Sequence, residues 1–198
     1  MENIVVNEVN KFILNRKSSI RESEHLRQQS LFETNIDEAD ANEVTDNVKT
    51  LIKNNQFEKQ NPQSFYDSLK KSKHSLMLTD YTPQELSKME IYKLNGYDIG
   101  YALKLHDGEY SEIVAVHNNE PEVKGIGQEL MQSAINNGGC YLDHFDGFLS
   151  NLYSNMGFVE YNRDKYDPHY DPNGEFKSKY GQSDVIYRAH KNCMNNVK

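Results

Sequence analysis

The sequence predicts a mixed α/β domain that follows an N-terminal extension of helical or partly disordered character. Strand-like runs joined by tight turns fill the middle of the chain, and a glycine-led helix follows them. The first sixty or so residues, in contrast, contain no glycine, and their first proline is Pro62. We therefore expect an extension at 1–62 and the α/β domain at 63–198.

The extension carries two apolar stripes with an acidic stretch between them. The stripes recur at helical spacing and consist of Val5, Val9, Phe12 and Ile13, and of Val44, Val48, Leu51 and Ile52. Isolated short helices are marginal in water, so such stripes need a partner to bury them. Residues 1–60 are predicted to be either a flexible extension or an arm that docks onto a protein partner.

The composition is polar and acidic. Of 198 residues, 36% are hydrophobic, the net charge is -8, and the mean hydropathy is -0.84. An acidic chain lacks the basic face that displaces counterions from nucleic acid, so broad nucleic-acid binding is not expected. No apolar run approaches membrane-spanning length, so we expect no membrane association and a cytoplasmic protein.

The two cysteines, Cys140 and Cys193, have no metal-ligand spacing. This usage is typical of a reducing compartment, so we expect free thiols and no disulfide framework. Cys140 enters a predicted strand directly after two glycines. A small residue at such a position usually serves packing, and a role as nucleophile is the alternative.

The domain is expected to begin with a strand at His74–Thr79 and a short helix. Thr82 is suited to cap that helix, with Pro83 at its first position and Glu85 completing a capping box. An antiparallel meander follows, because Asn95-Gly96 and Asp107-Gly108 are turn signals between apolar runs. Its three strands are predicted at Ile91–Leu94, Tyr97–Leu103 and Tyr110–His117.

The second half alternates helices and strands. A helix opens at Gly125-Ile126-Gly127 and closes at Gly138-Gly139. The later elements are a strand at Cys140–Leu142, a helix at Phe148–Met156, and strands at Phe158–Tyr161 and Val185–Tyr187.

Two short motifs in this half point to chemistry. The run Glu122-Val123-Lys124-Gly125-Ile126-Gly127 opens a helix, where free amides and the helix dipole bind anions such as a diphosphate. Tight helix–strand packing is the alternative explanation of the two glycines. Some thirty residues later comes Leu152-Tyr153-Ser154-Asn155-Met156-Gly157-Phe158. In this order, behind a meander, the two motifs resemble the acyl-CoA signature and the tyrosine signature of the GCN5-related N-acetyltransferase (GNAT) family. The resemblance covers roughly residues 70–190.

The resemblance implies a GNAT-like fold, acetyl-CoA as co-substrate and an amine acceptor. Val116 would contact the pantetheine arm, and Tyr153 would protonate the leaving thiolate, a task that suits a phenol of pKa about 10. Tyr153 as an ordinary core aromatic is the alternative. The resemblance also implies that the diphosphate is held by the amides of Val123, Lys124, Gly125, Ile126, Gly127 and Gln128.

A neutral amine needs a base, because a lysine-like ammonium has a pKa of about 10.4. Glu112 resembles the catalytic glutamate of the histone acetyltransferase branch, with a shift that needs a bulge, and is the first candidate. His117 is the second. An exposed strand glutamate without a role is the alternative for Glu112.

Two positions depart from the family pattern. Glu122 stands where the family has Gln or Arg, and Asp146 stands where many members have Asn. A carboxylate 4 Å from a phosphate charge costs about 1 kcal/mol in water and about 4 kcal/mol at an effective dielectric constant near 20. An exposed Glu122 would avoid most of this cost.

The remaining polar clusters give weaker signals. Asp143, His144, Asp146, Asp167 and His169 match no known metal-ligand spacing, so no metal site is expected. The aromatic loop at 166–174 is suited either to stack on a base or to cover a pocket, and the family resemblance implies a cover over the acceptor site.

We therefore expect an N-acetyltransferase that acts on a protein or small-molecule amine. The alternative is a non-catalytic GNAT-like module that docks through its N-terminal helices. The resemblance extends to bacteriophage-encoded proteins, which would place the chain in a host cytoplasm or a virion.

Overall fold

The computed structural model describes residues 40–106 and 110–196. The chain divides into two units, Met1–Val44 and Thr45–Lys198. Of the first unit only residues 40–44 are described, and they are helical. The first predicted apolar stripe, Val5 to Ile13, and the predicted turn at Asp107-Gly108 lie outside the described residues.

A seven-stranded mixed sheet organises the second unit, which confirms the predicted mixed α/β class. Its strands lie in the order β1-β2-β3-β4-β5-β7-β6. Every neighbouring pair is antiparallel except β4 and β5, which run parallel. In chain order the strands are Phe57–Lys59, Glu90–Leu94, Ile99–His106, Tyr110–Asn118, Gly139–Phe145, Phe158–Asp164 and Val185–His190.

Helices lie before and between these strands. Helix α1 includes residues 40–53. Helices α2 to α6 are Pro62–Lys71, Pro83–Leu86, Gly127–Asn136, Phe148–Asn155 and Glu175–Tyr180. Three short 3-10 segments are Ser75–Met77, Pro168–Tyr170 and Lys191–Asn196.

Local signals fixed several of these elements as predicted. The Tyr97 amide donates to the Leu94 carbonyl at 3.1 Å across the turn, where Gly96 has φ +80°. The Thr82 hydroxyl accepts from the Glu85 amide at 3.3 Å, while the Glu85 carboxylate accepts from the Thr82 amide at 2.7 Å. The predicted hairpin and the predicted capping box are both confirmed.

The core lies on both faces of the sheet. On one face Phe65 and Leu69 of α2 pack with Leu86 of α3 against Ala102 and Val114 of the sheet. On the other face the Tyr101 hydroxyl lies 3.1 Å from Ser133 of α4 and accepts from Asn137 at 2.8 Å. The sheet is thus covered by helices on both sides at β3 and β4.

Residues 45–62, assigned above to the extension, contribute to the same compact unit. The strand Phe57–Lys59 pairs with β2, with Phe57 opposite Leu94. Val48 and Ile52 of α1 are fully buried or nearly so. The second apolar stripe therefore forms a helix as predicted, and part of it belongs to the core of this unit.

The strand predicted at His74–Thr79 is wrong. Amides in this segment bond to carbonyls three residues back, Met77 to His74 at 2.8 Å and Leu78 to Ser75 at 3.1 Å. Those bonds make a 3-10 turn, and an apolar run alone could not distinguish it from a strand.

The expectation of free thiols is also wrong, because Cys140 and Cys193 form a disulfide. It joins the start of β5 to the last 3-10 segment across 53 residues of sequence, with the Cα atoms 5.8 Å apart. Disulfides persist mainly in oxidising environments, so the bond does not fit the expected reducing compartment. Cys140 is accordingly neither a free nucleophile nor a simple packing residue.

Within residues 40–106 and 110–196, no helix has the length and apolar character needed to cross a membrane.

Candidate active site

The centre of the sheet opens where β4 and β5 part. Two residue pairs align the strands, Ser111 with Gly139 and Glu112 with Tyr141. Beyond them β4 continues to Asn118 and β5 to Phe145 without further registered pairs. A gap between two parallel strands leaves main-chain groups that a ligand can bind.

A bulge in β4 accompanies this parting. The register against β3 shifts so that Val114 and His117 of β4 face Ala102 and Gly100 of β3, with one extra residue on β4. Within the bulge Ala115 has φ +55°, which is uncommon for a residue with a side chain. An extra residue bends and twists its strand, and that bend helps to separate β4 from β5. Val116, the predicted pantetheine contact, lies in this unpaired part of β4.

The loop from β4 to α4 is held by its own side chains. Asn118 donates to the Val123 carbonyl at 2.8 Å and accepts from the Glu120 amide at 3.0 Å. Val123 and Ile126 are buried and anchor the loop, whereas Gly125 is exposed with φ +67°. The start of α4 is therefore fixed before any ligand arrives.

The first amides of α4 have no hydrogen-bond partner among the described residues. Ile126 caps the helix without a side-chain hydrogen bond. In the described part of the chain, no carbonyl or side chain accepts from the amides of residues 124–128. Among the residues whose amides were predicted to hold the diphosphate, Val123 differs, because its amide donates to the Glu120 carbonyl at 3.3 Å. The anion cradle thus consists of residues 124–128, with Val123 as its buried anchor.

The two nearby glutamates do not occupy this cradle. Glu122 is exposed, and its carboxylate forms no hydrogen bond or ion pair with any described residue. Glu120 is directed elsewhere, because its carboxylate accepts from the Asp98 amide at 2.6 Å. Lys124, also exposed, forms no ion pair with a described carboxylate and adds positive charge beside the amides. Glu122, which stands where the family has Gln or Arg, therefore does not block the amides of residues 124–128.

Tyr153 lies on α5, close to the parting strands. Its side chain is 8% exposed and packs edge-on against the rings of His144 and Phe158 at 5.0 and 6.0 Å. Burial, together with the nearby Asp143 carboxylate, raises the pKa of Tyr153 to about 12. The hydroxyl makes no hydrogen bond to another described residue. A protonated phenol without a partner is available to donate to a ligand.

Asp146, the other departure, is held in an ion-pair network. Its carboxylate accepts from Arg163 at 2.7 Å and from the Ser150 hydroxyl at 2.8 Å. These bonds lower the pKa of Asp146, with the Arg163 hydrogen bond as the largest cause. Asp146 therefore links the start of α5 to β6 and is not directed at Tyr153.

Two carboxylates lie on one face of the sheet at the gap. Glu112 of β4 lies 2.8 Å from the His106 ring nitrogen and 3.7 Å from the Lys104 ammonium. Asp143 lies on β5, two residues past Tyr141 and so on the same face of that strand. Burial and then the Glu112 carboxylate raise the pKa of Asp143.

His117, the second predicted base, is placed elsewhere. Its ring is fully buried, with Nδ1 3.2 Å from the Ala115 carbonyl and Nε2 3.5 Å from the Asp98 carboxylate. Burial lowers the pKa of His117, and the Phe65 ring lies 5.1 Å away. A ring enclosed in this way cannot contact an acceptor, so the structure does not bring His117 together with Glu112.

A groove of about 800 Å³ opens on the carboxylate face. Its walls are the segment 76–80 and the aromatic loop with α6, and its floor includes Asp143, Phe145 and Tyr187. The loop predicted as a cover therefore does line a groove beside the gap. Six carboxylates and a single lysine are among the lining residues: Asp80, Asp143, Asp164, Asp167, Asp171, Glu175 and Lys165.

Sequence reasoning considered Asp143 only as a metal ligand and missed its place in this groove. The spacing of Tyr141 and Asp143 indicates that they share one face of a strand. The sequence does not show which residues of β4 they lie beside. Across the described ranges, no three or more His, Cys, Asp or Glu side chains are grouped as a metal site would require. Asp167 instead accepts from the His169 amide at 2.8 Å.

No protein-family model and no curated protein matches this chain. Among solved structures it is similar to the IAA acetyltransferase from Bacillus cereus ATCC 14579, with 20% identity and a TM-score of 0.45, over 68% of this chain and 97% of that chain. A GNAT family acetyltransferase from Elizabethkingia anophelis with acetyl-CoA bound shows 26% identity and a TM-score of 0.37, over 60% of this chain and 82% of that one.

The N-acetylglutamate synthase from Neisseria gonorrhoeae, complexed with coenzyme A and N-acetyl-glutamate, is also similar, with 16% identity and a TM-score of 0.41. The likeness covers 69% of this chain and 34% of the synthase chain. All three TM-scores lie below 0.5, so functional conclusions rest on the geometry of this chain itself.

Proposed function

We propose that this chain is an N-acetyltransferase of the GNAT type, which transfers an acetyl group from acetyl-CoA to an amine. One observation carries the proposal: unpartnered amides at the start of α4 lie beside a gap between parallel strands. An acyl-CoA needs both features, since it has a diphosphate for the amides and an extended pantetheine arm for the gap.

The binding site would divide between the loop and β4. The amides of residues 124–128 would hold the diphosphate, and Lys124 would screen part of its charge. Val116 and the unpaired main chain of β4 would bind the pantetheine arm. Because the loop is already held by Asn118, little ordering entropy would be lost on binding.

The reaction needs a base and an acid on either side of the thioester. Acetyl-CoA supplies an electrophilic carbonyl carbon and a thiolate leaving group. A carboxylate, with Glu112 as the sequence-predicted candidate, takes a proton from the acceptor ammonium, and the neutral nitrogen attacks the carbonyl. As the C–S bond breaks, Tyr153 protonates the thiolate, and its phenolate then takes the remaining excess proton from the nitrogen. The balance is one amide, one thiol and one released proton.

The groove on the carboxylate face would admit the acceptor. Its lining has more acidic than basic side chains, and such a lining attracts a protonated amine. The aromatic floor residues would cover the apolar part of that amine. Asp143 lines this groove, and Glu112 lies on the same sheet face in the last registered pair of β4 with β5, so acceptor and thioester would meet there.

Isothermal titration with acetyl-CoA at moderate salt tests the proposal. We expect saturable heat and a dissociation constant in the micromolar range, which corresponds to a binding free energy of about -8 kcal/mol. S-acetylpantetheine, which lacks the diphosphate, should bind more weakly. Absence of heat up to millimolar acetyl-CoA would contradict the proposal and favour a non-catalytic module.

A further inference from the structure

The carboxylate face holds an acidic group that the reaction above leaves without a role. Glu112, the base expected from the sequence, is already bound by two basic side chains, His106 at 2.8 Å and Lys104 at 3.7 Å. These two contacts hold the Glu112 carboxylate against its own strand pair and occupy the oxygen that would otherwise meet an amine. Asp143, in contrast, forms no ion pair with a described residue, and it lines the groove.

We propose that Asp143 is the group that takes the proton from the acceptor ammonium, with Glu112 as its positioning partner across the gap. The inference rests on the proposed function and adds a catalytic residue to it. The Asp143 carboxylate gains the proton as the nitrogen becomes neutral, and it passes that proton to solvent after acyl transfer.

The position of Asp143 supports this role. Tyr141 of β5 and Glu112 of β4 form the last registered pair between these strands. Asp143 lies two residues beyond Tyr141 on the same face of β5, so it stands where the strands separate. Its side chain is exposed and lines the groove. A base at the bottom of a groove can contact an entering amine.

The surroundings of Asp143 favour the protonated form of its carboxyl group. Burial and Glu112 raise the pKa of Asp143, and Lys104 opposes the shift only as a smaller effect. Burial raises the pKa of the surrounding phenols of Tyr81, Tyr153 and Tyr161, and the hydrogen bond to Asp164 raises that of Tyr187; the Asp143 charge adds a smaller effect to each. A base with a raised pKa accepts a proton from an ammonium more readily than an ordinary carboxylate does.

The first test is an NMR titration of the full chain labelled with 13C at aspartate carboxyls, with Asp143→Asn to assign the signal. We expect Asp143 to titrate above the ordinary aspartate pKa of about 3.9, and the Glu112→Gln chain to titrate closer to it. An ordinary pKa in the wild-type chain overturns the inference whatever the activity is.

The second test measures thiol release from acetyl-CoA with 1,4-diaminobutane and tyramine as probe amines. Asp143→Asn is expected to lower kcat by about 10²- to 10⁴-fold, the usual contribution of a general base, with unchanged acetyl-CoA affinity. Asp67→Asn, which removes the same charge from an exposed position on α2, is the matched control and should leave kcat unchanged. Full activity of Asp143→Asn overturns the inference.

Stability separates this role from a structural one. A folded pKa above the unfolded value means that Asp143 favours folding most in acid, and that this contribution is lost as pH rises through the folded pKa. Asp143→Asn should therefore be at least as stable as wild type at pH 7, whereas loss of a structural residue would lower the urea midpoint. Wild-type chain that fails to bind acetyl-CoA contradicts the proposed function itself, and binding with an ordinary Asp143 titration overturns this inference alone.

Discussion

The two sides of the gap between β4 and β5 differ in how the chain builds them. The proposed anion cradle comes from one continuous stretch, residues 118–128, in which Asn118 fixes the loop and the helix start has no side-chain cap. The proposed acid and base come from separate elements: Glu112 of β4 and Asp143 of β5 share one face of the sheet, and Tyr153 of α5 packs against His144 on the other. The proposed anion site therefore depends on local sequence, whereas the proposed acid and base depend on tertiary structure.

The largest expected effect lies on the non-local side. Tyr153→Phe removes the proposed acid and should lower kcat by about 10²- to 10⁴-fold, with acetyl-CoA affinity unchanged because the cradle is untouched. With a pKa raised to about 12, the phenol stays protonated in neutral solution, so the wild-type rate should not fall between pH 7 and pH 10 through its ionisation. Steady-state kinetics and calorimetry on the same samples check both statements, and an equally active variant would assign Tyr153 to the core alone.

The disulfide should contribute the next largest effect. Cys193→Ser removes the link between β5 and the C-terminal segment, which closes a loop of 53 residues. A disulfide that closes a loop of that size is expected to stabilise the folded chain by about 2–4 kcal/mol, because it restricts the unfolded state. Urea unfolding of wild type with and without reductant is the measurement, and identical midpoints would show that the bond does not form in solution.

Glycines on the local side should give smaller effects. Gly125 has φ +67° and open space around its Cβ position, so Gly125→Ala costs only backbone strain, about 1–2 kcal/mol. Gly127 is the matched control: a Cβ there would meet Leu152 at 3.6 Å, an ordinary contact, without a positive φ. We expect Gly127→Ala to be no less stable than wild type in urea, and equal destabilisation of the two variants would contradict the described loop.

The smallest expected effect concerns the charge beside the cradle. Lys124→Glu should weaken acetyl-CoA binding by about 1 kcal/mol or more, roughly fivefold to tenfold, and the loss should shrink at high salt. Lys88→Glu makes the same charge change at an exposed residue after α3 and should leave the affinity unchanged. Equal losses in both variants would indicate a general charge effect and no contact at Lys124.

The same contrast explains which elements the sequence could predict. The hairpin at Asn95-Gly96, the Thr82 capping box and the start of α4 depend on neighbouring residues, and all are confirmed. The carboxylate face depends on register, because Asp143 comes to lie near Glu112 through the pairing of β5 with β4 at Ser111 and Glu112. No local pattern specifies such a register.

Other misses have the same origin. Phe57–Lys59 looked like part of an extension because a strand of three residues is too short to show alternation. The bond between Cys140 and Cys193 needed the spatial return of the C-terminus to β5, which two isolated cysteines do not indicate. Each miss concerns a contact between segments far apart in sequence.

The central claim is that the amides at the start of α4 bind a diphosphate beside the open gap. Titration of the 15N-labelled chain with coenzyme A, followed by amide NMR shifts, tests it most directly. We predict that the largest shifts fall on residues 124–128, with smaller ones on the unpaired part of β4. Saturating coenzyme A that leaves these amides unmoved, or shifts centred on another surface, would contradict the account.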